Sequence, residues 1–120
     1  MRLRIEYFDQ NEAFAQSLPR TGTVRRELRS ESGVGPWFLV DLDEPLECQL
    51  KVGDPFRFRL ARVNAFLIRS RWEGKSVADP EGTSVFILLV GESQHPSTDV
   101  VNTDAYVHVA WGMCRPLPAG

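Results

Sequence analysis

The chain has two thiols, Cys48 and Cys114, and two imidazoles, His95 and His108, groups able to act as nucleophile, base or soft metal ligand. A thiol brought against His108 would have an imidazole to take its proton, the pairing that activates a cysteine nucleophile. Simpler roles compete with it. His108 falls in an alternating apolar segment and His95 in the loop triplet Gln94-His95-Pro96, while both cysteines read as buried apolar spacers. Neither histidine stands in an HExxH run, and no third ligand follows at metal-site spacing. Asp41 and Asp43 are two residues apart and so share a strand face, where unpaired carboxylates would hold a cation or raise one another's pKa. Pro45 makes that stretch the polar end of a strand instead. Glycines 33, 35, 53, 74, 82 and 91 form no phosphate-cradling GxGxxG or GxxxxGK sequence. The expectation is a protein with no catalytic residue, no metal and no cofactor.

What remains is recognition chemistry. From Phe56 the chain alternates phenylalanine and arginine to Leu60, then runs Phe66-Leu67-Ile68-Arg69-Ser70-Arg71-Trp72. Strand alternation puts Phe56, Phe58 and Leu60 on one side and Arg57 and Arg59 on the other, predicting a buried apolar face and a wet cationic one. Asn64 permits a break. If the two halves pair, Arg57, Arg59, Arg69 and Arg71 gather into one patch with Arg62 and Lys75 near its ends, a donor array suited to phosphate oxygens. Trp72 follows Phe66, Ile68 and Ser70 onto the presumed inner face. Trp37, just after Gly35-Pro36, is the candidate aromatic anchor at a loop–strand boundary, with Tyr106 as a second contact. The bland alternative is that the arginines cover a solvated sheet face and are met by Glu27, Glu44, Glu47 or Glu73.

Composition narrows the classes. The 120 residues carry 14 basic and 16 acidic side chains, a net charge of -2, so no global field draws the chain to nucleic acid or membrane. Local asymmetry does exist, because residues 57–75 hold five Arg and one Lys against Glu73 alone. An apolar fraction of 42% supports a real core, and the longest strongly apolar run, Val85 to Val90, is too short to span a bilayer. Two cysteines without a secretory signal read as free thiols in the cytoplasm.

The elements that must position these residues are short and β-rich. Arg2 to Tyr7, Gly22 to Arg29, Trp37 to Leu42, Leu46 to Leu50, Phe56 onward, Thr83 to Val90 and Tyr106 to Trp111 alternate or run apolar, separated by Pro- and Gly-bearing turns. Asp9 and Glu12 have capping-box spacing for one short helix through about Ser17. Asp43-Glu44-Pro45 reads as a turn, and Gly91 to Asp104 as a polar, mobile loop. The expected fold is one mostly β domain over residues 1–115, a small antiparallel barrel or strongly bent sheet, with a tail at 116–120. Over about half the chain, Thr21-Gly22-Thr23-Val24, a loop, Trp37-Phe38-Leu39-Val40 and then Val52-Gly53-Asp54 resemble small SH3-like barrels. That resemblance implies a fold and no activity.

The favoured function is a non-catalytic interaction or structural domain that binds a protein partner or a second copy of itself. RNA or single-stranded DNA binding through the Arg-rich face is the alternative, and a small Cys/His hydrolase comes third.

Overall fold

The computed structural model describes residues 1–7, 18–52 and 55–118. Seven strands follow one another: β1 (Arg2–Tyr7), β2 (Arg20–Ser30), β3 (Trp37–Val52), β4 (Arg57–Ser70), β5 (Thr83–Gly91), β6 (Val100–Val101) and β7 (Val107–Pro116). The order β1-β7-β5-β4-β3-β2, closed by β1 pairing with β2, makes a six-stranded antiparallel barrel. β6 adds to β2 in parallel, outside the wall. The short helix expected over residues 9–17 lies outside the described residues.

The sequence builds this wall as a meander, since each wall strand after the first lies beside the one preceding it in the wall and only β1 must close the ring. Closure has no free edge to leave along the wall, which is one way an all-β chain avoids edge-to-edge association. Close approach at the seam depends on Gly22, where a Cβ would sit 2.5 Å from the carbonyl oxygen of Asp41. Arg2 on β1 also reaches Asp43 of β3 with two donors, and Thr21 of β2 donates to the same carboxylate.

Two apolar layers hold the wall. The barrel interior takes Leu3, Ile5, Val40, Phe66, Ile68 and Ile87, all without solvent exposure. Outside the wall, Leu28, Leu39, Leu67, Leu88 and Val90 form a second cluster with Trp37. The segment after β5 covers it, because Val101 and Tyr106 are buried in the same cluster. This accounts for the continuous apolar runs Ala65 to Ile68 and Val85 to Val90: in their middles, β4 and β5 are covered on both faces, so alternation has no reason to appear.

Several sequence expectations change here. Gly91 to Asp104 is not a free loop. Arg26 donates to the Pro96 carbonyl and to Asp99, β6 pairs with β2, and Thr103–Ala105 forms a 3₁₀ turn capped by Asn102. Asp43-Glu44-Pro45 does not end a strand either. β3 continues through it to Val52, with an irregularity between Asp41 and Leu46 that pushes Asp43, Glu44 and Pro45 into solvent. β4 is one strand through Asn64, not two paired segments. At the other end, Pro116 still pairs with Leu3, and the Leu117 N–H donates to the Arg2 carbonyl, so the presumed tail begins inside the sheet.

Candidate functional site

β4 meets β5 only from Val63 to Ser70, and β3 meets β2 only as far as Leu42. Beyond those limits β3 and β4 continue as a two-stranded ribbon, Leu46 to Val52 against Arg57 to Val63. Outward of Val63 no other described strand pairs with this arm. Its β4 strand is exposed on both faces, Phe58 at 59% and Leu60 at 57% with Arg57 and Arg59 exposed as well, and Phe56 in the preceding turn is 57% exposed, while Leu50 opposite Arg59 is buried.

The faces are reversed from the sequence expectation. Residues opposite one another in the ladder share a face, and Val63, Ala61, Arg59 and Arg57 stand opposite Leu46, Cys48, Leu50 and Val52. Leu46, Leu50 and Val63 belong to the barrel interior, so Arg57 and Arg59 prolong the interior face and Phe58 and Leu60 the outer one. The cause is the irregularity between Val63 and Ala65, where Asn64 is an extra residue relative to β5. Val63, Phe66 and Ile68 all point inward, a pattern possible only if one residue is bulged out between them. One inserted residue sends every preceding side chain to the other face.

Backbone polarity marks one edge of the arm as open. The Glu92 N–H donates to the Arg62 carbonyl, so Arg62 turns its main-chain groups toward the side where β5 lies. In an antiparallel ladder alternate residues point the same way. Leu60 and Phe58 therefore also present their N–H and C=O to that side, past the end of β5 where no described strand takes them.

A second constellation lies at the opposite end of β4. Arg69 stands between two rings, its guanidinium carbon 5.4 Å from the Trp37 ring centre and 4.8 Å from that of Phe86. Arg71 is likewise 5.0 Å from the Trp72 ring centre and 4.1 Å from that of Trp111. Arg69 pairs with Phe86 and Phe86 with Trp111, so the row is a cross-strand ladder on the outer wall. Arg69, Arg71, Trp72 and Lys75 line a cleft of about 570 Å³, whose other side is Val34, Gly35 and Pro36 from the β2–β3 loop.

These positions settle where each expected residue sits. Ten residues separate Arg59 from Arg69 along one strand, about 30 Å of extended chain, so the four arginines do not make one patch. Trp37 is 6% exposed, its ring beneath Arg69, and is no surface anchor. Tyr106 is 8% exposed and its hydroxyl donates to the Gln94 carbonyl. Trp72, expected in the core, is 56% exposed. Phe56, Phe58 and Trp72, which alternation assigns inward, are the exposed aromatics among the described residues.

The nucleophile-and-base grouping does not assemble. Cys114 is fully buried, its thiol toward the Val77 carbonyl, and burial pushes its pKa up to about 12. Burial raises the Cys48 thiol too, on the arm. His108 stands on the outer face of the wall beside Phe86, away from both. His95 shares a hydrogen bond with Asn64. Asp41 is paired with Arg25, and Asp43 is held down to about 2 by the donors from Arg2 and then Thr21. Among the described residues no three His, Cys, Asp or Glu side chains are grouped to hold a metal ion. Among the same residues no helix is long and apolar enough to cross a membrane.

Comparison of the chain with protein-family models, with curated proteins and with solved structures gives no match.

Proposed function

We propose that this chain is a protein-interaction module whose β3–β4 arm takes up an extended segment of a partner protein as an added strand. The observation that carries this is the exposure of Phe58 and Leu60 on β4, with Phe56 in the turn just before it, along an outer edge that no described strand pairs. Three large apolar side chains held in water on a narrow ribbon are unfavourable unless something covers them. A two-stranded ribbon is also marginal by itself, and a third strand is the direct remedy.

The chemistry of the arm describes the partner. Apolar residues of an added strand would lie beside Phe58 and Leu60, and the residues between them beside Arg57 and Arg59. Among the described residues neither arginine has an ion-pair partner, so acidic side chains complement them. The partner segment is therefore about six residues long and alternates acidic with apolar. Two copies of the arm meeting edge to edge would bring like charges together, which disfavours self-association by this route. Cys48 and Cys114 stand as free thiols, which fits a reducing, cytoplasmic setting for the encounter.

Selection from a random-peptide library on the immobilised protein tests this reading. Alternating acidic–apolar peptides whose binding is lost in Leu60→Glu and in Arg59→Glu are the expected result. Failure to select any such peptide, or binding that survives both substitutions, refutes it.

A further inference from the structure

The cleft at the far end of β4 is separate from the arm and has a different chemistry. Its two guanidinium groups are held by aromatic rings and not by carboxylates. Among the described residues, Arg69 and Arg71 have no ion-pair partner, and Glu73 is the one acidic side chain lining the cleft. Lys75 adds a third positive charge, paired at 3.9 Å with the half-buried Asp79. Arg69 Nε is buried and meets no acceptor, so its charge is not answered from beneath.

A guanidinium stacked on rings still directs its donors outward within its own plane, which is the geometry that meets phosphate oxygens. Arg71 follows the last residue of β4, its N–H still donating to the Ser84 carbonyl, so residues 69 and 71 keep the two-residue strand spacing and present these donors on one side, about 7 Å apart. Beside them the Trp72 ring is 56% exposed, and Val34, 47% exposed, belongs to the other wall with Pro36. A volume of about 570 Å³ is of small-molecule size.

We propose that this cleft binds a nucleoside phosphate unit, with its base stacked on Trp72 and its phosphate on Arg69, Arg71 and Lys75. Base stacking supplies affinity without reading sequence, and the phosphate contacts make the affinity salt-dependent. The ligand is either a free mononucleotide or one unit of a single strand, since both present the same chemistry.

Isothermal titration of the full chain with adenosine monophosphate, adenosine, inorganic phosphate and a ten-residue oligoadenylate tests it. Adenosine monophosphate is expected to bind at least about tenfold more tightly than adenosine or phosphate alone. Trp72→Ala and Lys75→Ala, both changes at exposed positions, are expected to weaken it, Trp72→Ala by about tenfold. Arg71→Gln should do the same, with circular dichroism confirming that the sheet persists. Oligoadenylate binding much more tightly and with a steep salt dependence assigns the site to a strand, whereas equal affinities assign it to a free nucleotide. No saturable binding of either, or binding unchanged in Trp72→Ala and Lys75→Ala, overturns the proposal.

Discussion

Truncating Phe58 and Phe66 to alanine separates the reversed arm from the arrangement that plain alternation predicts. The two rings lie on one strand eight residues apart, and simple parity puts both in the core. The structure leaves Phe58 59% exposed and Phe66 without exposure. Full burial of such a side chain contributes about 1.5–3 kcal/mol, so a ring mostly in water loses about 0.5–1 kcal/mol on truncation. Phe66→Ala removes the transfer contribution and leaves a cavity inside the barrel, costing about 3–5 kcal/mol. With a urea slope of about 2 kcal/mol per molar, the midpoint falls by about 0.25–0.5 M for Phe58→Ala and about 1.5–2.5 M for Phe66→Ala. Urea titrations followed by tryptophan fluorescence and by circular dichroism measure both on the same day, and coincident curves license the two-state comparison. A loss at Phe58 as large as that at Phe66 would place Phe58 in the core. The bulge at Asn64 and the exposed apolar face would then both be wrong.

Two further outcomes follow from the titrating groups. Because burial pushes the Cys114 thiol up to about 12, a thiol reagent at pH 8 should leave it unlabelled in the folded protein and label it in denaturant, as peptide mass spectrometry would register. Asp43 is held down to about 2 by Arg2 and Thr21, so its contribution to stability is full above about pH 4, the ordinary carboxylate range. It declines as pH falls toward 2. Melting temperatures from pH 5 to 2 should therefore drop less steeply in Asp43→Asn than in the parent chain; identical slopes would remove this ion pair from the barrel seam.

The barrel itself was legible because its signal is local. Alternation in Arg2 to Glu6 and the apolar run of β5 survive in the structure, while the turn read at Asp43-Glu44-Pro45 does not. What misled was parity across Asn64. Phe-Arg-Phe-Arg alternation says that two faces differ, but which face is dry depends on a bulge set by pairing with β5, a contact far away in the chain. Trp37 was misplaced for a related reason. Its position after Gly35-Pro36 suggests a loop boundary, while the outer apolar layer that buries it is completed by Val101 and Tyr106, from a segment whose polar composition hides its packing. The cleft could have been suspected from Arg69, Arg71 and Trp72 lying so close in sequence. Their ring partners Phe86 and Trp111 come from other strands and leave no trace at that spacing.

The most direct measurement of the arm's role is amide hydrogen exchange across β4, with and without a ten-residue peptide alternating glutamate and valine. In the free protein the amides of Phe58 and Leu60 should exchange far faster than those of Phe66 to Ile68, which the barrel holds on both sides. Peptide addition should slow Phe58 and Leu60 selectively and leave β5 and β7 unchanged, with the effect abolished by Leu60→Glu. Phe58 and Leu60 already protected in the free protein, or unaffected at saturating peptide, would contradict strand addition at this edge.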